Sequence, residues 1–93
     1  MAVAELCLFP LGTGSPGVAE YLKPVIEVIR KSGLKYRLCP MGTVVEGSVE
    51  EILKLAGACH EVVLGAGAKR VVLSLKIDDR TDKPLTIEGK VKV

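Results

Sequence analysis

Residues 40–47 place a thioether, a hydroxyl and a carboxylate close together along the chain, on Met41, Thr43 and Glu46. A sulfur atom makes favourable contacts with an aromatic ring, and hydroxyl and carboxylate oxygens accept hydrogen bonds from ring amino groups. A carboxylate also offsets the charge of a cationic ring. The segment can therefore hold a flat heterocycle, or it is a turn followed by an edge strand with Glu46 in solvent.

Residues 12–17 satisfy the spacing G-x-G-x-x-G between a predicted strand and a predicted helix. This spacing alone suggests a dinucleotide whose pyrophosphate lies at the helix N-terminus. The acidic residue expected about twenty positions later is missing, and a hairpin is predicted where the next strand–helix unit should be. Two interpretations remain: the glycines permit a tight turn, or the exposed amides hold a small polar ligand or anion together with the hydroxyls of Thr13 and Ser15.

Candidate metal and catalytic groups are sparse. His60 begins an H-E-x-x-H motif, but Leu64 occupies the position of the second metal ligand, and no Ser or Cys is placed by sequence as a nucleophile for this histidine. Residues 76–83 contain three aspartates among three basic residues, which suggests a divalent metal site or, alternatively, a solvated or intersubunit ion-pair loop. The three cysteines lack the spacing of a zinc site or a disulfide framework. We expect no metal, no cofactor and no catalytic residue.

Hydrophobic periodicity predicts the elements that position these residues. Alternating segments predict strands at 3–11, 34–39, 43–46 and 70–78, with a short further strand within 87–93. A first helix is predicted from Ser15-Pro16 to Ser32-Gly33, and a second from the S-x-x-E capping box of Ser48 to Gly65. The order predicts an α+β protein with the ferredoxin-like βαββαβ topology, an antiparallel sheet with both helices on one face, and a short C-terminal strand.

Length and composition limit the class of protein. The chain has 93 residues, of which 48% are hydrophobic and 26% charged, so we expect one folded domain spanning residues 1–93. A net charge of +2 with 3% aromatic residues argues against nucleic-acid binding, and no apolar stretch is long enough for a membrane span.

The predicted sheet leaves one face without helices. Cys7, Phe9 and Val72 lie on that face with Ser74, and they form a patch too apolar to face water. We therefore expect a second subunit to cover it.

Several ordered motifs resemble the small thiamine-binding (YkoF-like) family. They are residues 10–14 (PLGTG), 33–36 (GLKY), 40–47 (PMGTVVEG), 60–61 (HE), 76–80 (KIDDR), 83–85 (KPL) and 88–91 (EGKV). The resemblance implies a ferredoxin-like fold, a homotetramer assembled as a dimer of dimers and a cytoplasmic location. It also implies binding of thiamine or its hydroxymethylpyrimidine moiety without catalysis.

We therefore predict a carrier or sensor whose ligand pocket is lined by Thr13, Met41, Thr43 and Glu46, with Glu46 accepting hydrogen bonds from the aminopyrimidine. The alternative is an oligomeric regulatory or interaction module that binds a different metabolite or an anion. An enzyme that uses His60 is the third and least favoured interpretation.

Overall fold

The computed structural model describes residues 1–92 and contains one four-stranded antiparallel sheet. Its elements in chain order are β1 (Ala2–Pro10), α1 (Ala19–Lys31), β2 (Lys35–Cys39), β3 (Gly42–Gly47), α2 (Val49–Gly65), β4 (Val71–Asp79) and α3 (Ile87–Lys90). The strand order β2-β3-β1-β4 confirms the predicted α+β fold with ferredoxin-like topology.

The core lies between the sheet and the two long helices. Alternate residues of β1, from Ala2 to Leu8, are buried against this core, and β4 follows the same alternation beside it. The largest fully buried side chains are Ile29, Ile52, Val45, Val63 and Cys59. Both predicted helices therefore cover one face, and we call the other face of the sheet the open face.

The predicted capping box at the start of α2 is present. The Ser48 hydroxyl accepts from the Glu51 amide at 3.1 Å, and the Glu51 carboxylate accepts from the Ser48 amide at 3.0 Å. The hydrogen bond from the Ser48 amide, followed by the interaction with the Ser48 side chain, holds the pKa of the Glu51 carboxyl below its usual range. The box starts the helix immediately after β3 and so fixes where the β2–β3 hairpin ends.

The predicted start of α1 at Ser15 is wrong. The helix begins at Ala19, and residues 11–18 form an irregular connection instead. Gly12 and Gly14 have φ angles of 73° and 78°, a region that favours glycine, and the Ser15 hydroxyl accepts from the Gly17 amide at 3.2 Å. This local turn competes with helix formation and delays it by one turn.

The predicted C-terminal strand is also wrong within the described residues, and Val93 lies outside them. Residues 87–90 form the short helix α3, whose first turn is capped by the Thr86 hydroxyl accepting from the Gly89 amide at 2.9 Å. A β-carbon at position 89 would lie 2.8 Å from that hydroxyl oxygen, so the cap requires glycine. Ile87 is buried beside the open face, and we call residues 86–91 the C-terminal strap.

Candidate functional site

A groove of about 330 Å³ lies where α1 faces the tip of the β2–β3 hairpin. We call it the hairpin groove. Leu22 and Ile26 of α1 form one wall, Met41 and Thr43 of the hairpin form another, and Phe9 lies at the end of β1. Among the described residues, no charged side chain lines the groove. Its chemistry therefore suits a flat, largely apolar group that forms a few hydrogen bonds.

The edge of β1 is exposed at this groove. Pairing between β1 and β3 ends at Leu6 and Thr43, whereas pairing between β1 and β4 continues to Pro10 and Val71. Residues 7–10 therefore have no strand partner on the β3 side within the described chain. Backbone N–H and C=O groups at an unpaired edge are available to bind a ligand.

The structure brings two of the predicted site residues together. Met41 and Thr43 both line the hairpin groove. The Met41 side chain is 84% exposed at the rim, and Thr43 is half-buried on the helix-covered side of the sheet, opposite Leu6. The thioether and the hydroxyl can thus contact one ligand from different directions.

Glu46 lies on the other side of the sheet. Its Oε1 accepts a hydrogen bond from the Ile87 amide at 2.9 Å, so its carboxylate holds the C-terminal strap. Thr43 and Glu46 are three residues apart on one strand, and residues separated by an odd number point to opposite faces. This odd spacing is visible in the sequence, and it alone predicts that Thr43 and Glu46 lie on opposite faces of the sheet.

Thr13 lies in the irregular connection between β1 and α1. Its hydroxyl donates to the Ser15 carbonyl at 2.9 Å, and it is absent from the residues that line the hairpin groove. A direct contact between Thr13 and a ligand therefore stays a prediction.

A second and larger cavity of about 660 Å³ lies on the open face, beneath the C-terminal strap. We call it the open-face cavity. Its lining includes the apolar residues Val3, Val44 and Ile87 and the basic residues Arg37 and Lys76. Sequence reasoning assigned no site to Arg37 or Lys76, although the alternation of the strands places both on this face.

Polar contacts attach the strap to the sheet. Lys35 of β2 forms an ion pair with Glu88, and Lys90 forms one with Asp78 of β4. The hydrogen bond from Lys35 lowers the pKa of Glu88, and the same bond raises the pKa of Lys35. Together with the bond from Ile87 to Glu46, these pairs connect the strap to three strands.

The remaining candidates from the sequence are metal ligands, the acidic segment and membrane-spanning helices. Within residues 1–92, no three or more His, Cys, Asp or Glu side chains are grouped so that they could hold a metal ion. In the acidic segment, Asp82 forms an ion pair with Arg80 of the same chain. Among the helices that the structure describes, none has the length and apolar character needed to cross a membrane.

Comparison with known proteins now identifies the family. The sequence profile described as "Thiamine-binding protein" matches residues 4–93 of this chain. The chain belongs to the thiamine-binding protein family. This result confirms the family that the sequence motifs indicated, and it supports a role in binding a small molecule.

Relatives and solved structures agree with this assignment to the thiamine-binding protein family. A UPF0045 protein of Methanocaldococcus jannaschii is 50% identical, over 97% of this chain and 88% of its own length. The UPF0045 protein YqgV of Bacillus subtilis is 34% identical, over 99% of this chain and 92% of its own. A crystal structure from Thermotoga maritima, of a protein named as a candidate for thiamine biosynthesis or salvage, has a TM-score of 0.85 at 32% identity, covering 97% of this chain and 94% of its own.

Proposed function

We propose that this protein binds thiamine, or its hydroxymethylpyrimidine moiety, non-covalently in the hairpin groove and acts as a carrier or sensor without catalysis. The observation that carries the proposal is the unpaired β1 edge at residues 7–10, which borders an apolar groove in a member of the thiamine-binding protein family.

The ring chemistry supports this location. An aminopyrimidine presents hydrogen-bond donors and acceptors along one edge, which complements the alternating N–H and C=O groups of a strand edge. The Met41 sulfur is available to contact the ring face, and the Thr43 hydroxyl can donate or accept one further hydrogen bond. We assign direct ligand contacts to these two side chains first.

Thr13 and Glu46 remain proposed ligand contacts, but neither residue lines the hairpin groove. Both side chains already have partners within the chain, in Ser15 and Ile87 respectively. A ligand contact at either residue would have to replace that partner or share it.

Calorimetric titration with thiamine, thiamine diphosphate and hydroxymethylpyrimidine tests the proposal. Thr43→Val removes one neutral hydrogen bond worth about 0.5–1.5 kcal/mol, so we expect a loss of roughly two- to tenfold in affinity. Thr81→Val, at an exposed loop position outside both cavities, is the matched control and should bind like the parent.

Glu46→Gln tests which face of the sheet binds the ligand. If the groove alone binds the ligand, this substitution leaves affinity unchanged while Thr43→Val weakens binding. The opposite result would place the ligand on the open face: Thr43→Val would bind with the affinity of the parent, and Glu46→Gln would lose roughly ten- to hundredfold in affinity. A loss of that size is the range for hydrogen bonds to charged groups.

We further propose that the protein is a homo-oligomer, assembled as a dimer of dimers in the cytoplasm. Phe9 and Val72 are cross-strand partners on the open face beyond the strap, and they are 40% and 36% exposed. Covering this pair with a second copy removes apolar surface from water. Light scattering should give a mass near four chains for the parent and a smaller mass for Phe9→Asp. A parent with the mass of one chain would refute this assembly.

A further inference from the structure

The open-face cavity is separate from the proposed thiamine site. The sheet itself lies between most of the hairpin groove and this cavity, and of the described residues the two linings share only Cys39. With about 660 Å³ of space, the cavity is large enough for a small organic molecule.

The floor and roof of the cavity are apolar. Val3 and Val44 lie on adjacent strands of the open face, and the strap adds Ile87 and Val91 to the lining. Ile87 is already packed within the chain, with 4% of its surface exposed, whereas Val91 is 64% exposed and available to a ligand. An apolar group bound here would lose contact with water on two sides. Such burial favours a ligand that has a ring or a short hydrocarbon chain.

One row of cross-strand partners at this cavity contains three charged residues. Arg37 is opposite Val44, Val44 is opposite Glu5, and Glu5 is opposite Lys76. The two acids of the lining each have a basic neighbour, because Glu5 is the cross-strand partner of Lys76 and Asp78 is ion-paired with Lys90. The surplus positive charge of the lining therefore belongs to Arg37.

The Arg37 guanidinium makes no ion pair or hydrogen bond with any residue in the described part of the chain. Glu88 is near enough for Arg37 to contribute to its lowered pKa, but the Glu88 carboxylate is bound by Lys35. The planar guanidinium of an arginine can donate two parallel hydrogen bonds to the oxygen atoms of a carboxylate or a phosphate.

We propose that the open-face cavity is a second binding site, for a small organic anion whose carboxylate or phosphate is bound by Arg37. The apolar body of this anion packs against Val44 and against Val91 of the strap. The site goes beyond the proposed thiamine function, because it requires no residue of the hairpin groove that was assigned to thiamine.

Nuclear magnetic resonance titration of the full chain with benzoate and with phenyl phosphate tests the site. Either probe should shift the amide signals of Val44 and Ile87 in a saturable way, and the tighter of the two identifies the head group. Arg37→Gln should weaken binding by about tenfold or more, because it removes a charge-assisted pair of hydrogen bonds. Arg70→Gln is the matched control, since Arg70 is an exposed arginine outside both cavities, and it should bind within about twofold of the parent.

Three results would overturn the proposal: no saturable shift with either probe, equal affinities in Arg37→Gln and Arg70→Gln, or inorganic phosphate binding as tightly as phenyl phosphate. Lys76→Gln provides a second variant in the same cavity, and we expect a smaller loss because Lys76 already neighbours Glu5. Titration of the same samples with thiamine distinguishes the anion site from the proposed thiamine site, since Arg37→Gln should leave thiamine affinity unchanged.

Discussion

Replacing Glu46 should release the C-terminal strap. The Glu46 carboxylate accepts the Ile87 amide at 2.9 Å in a half-buried position, and Ile87 is the only buried side chain of α3. Glu46→Ala leaves that amide without its acceptor, at a cost of about 1.5–3 kcal/mol for a hydrogen bond to a charged group. The two ion pairs of the strap cannot replace this bond, because both pairs are exposed and solvent screens their attraction.

Amide hydrogen exchange measures the release directly. If the strap opens as a local unit, the loss in Glu46→Ala corresponds to roughly ten- to hundredfold faster exchange of the Ile87 amide. Glu46→Gln keeps a neutral oxygen acceptor, so its loss should be smaller, about 0.5–1.5 kcal/mol. Glu61→Ala, at an exposed site on α2, is the matched control. Identical Ile87 exchange in Glu46→Ala and Glu61→Ala would refute the role of Glu46 as the attachment of the strap.

Three further predictions concern capping, thiol chemistry and pH. Ser48→Ala should lower the free energy of unfolding in urea by about 1 kcal/mol, because it removes the capping hydroxyl of α2, whereas Ser74→Ala on β4 should change it little. Burial raises the pKa of the Cys59 thiol to about 11, so a thiol reagent at neutral pH should label the exposed Cys39 well before Cys59, as followed by mass spectrometry. The pKa of Glu88 is lowered in the folded protein, so its contribution to strap stability is present above its ordinary pKa of 4.5 and is lost as the pH falls from there through the lowered pKa. Ile87 exchange, corrected for its intrinsic pH dependence, should therefore accelerate as the pH falls through this range.

The alternation and capping signals in the sequence were enough to predict the ferredoxin-like topology. Strand periodicity predicted which residues of β1 and β4 share a face, and the S-x-x-E motif at Ser48 predicted the start of α2. These signals are local, because side-chain direction and capping depend on neighbours within a few positions along the chain.

Only the tertiary structure decided how the candidate residues combine. Met41 and Thr43 meet in the hairpin groove because β1 extends beyond the end of β3, and strand lengths relative to one another depend on long-range pairing. The tail alternates like a strand, yet it forms α3 because Glu46, 41 positions earlier, accepts the Ile87 amide and the sheet buries the Ile87 side chain. Local periodicity depends only on residues that are close in sequence, so it cannot predict a contact with a residue 41 positions away. The strap and the cavity beneath it could therefore be found only in the folded chain.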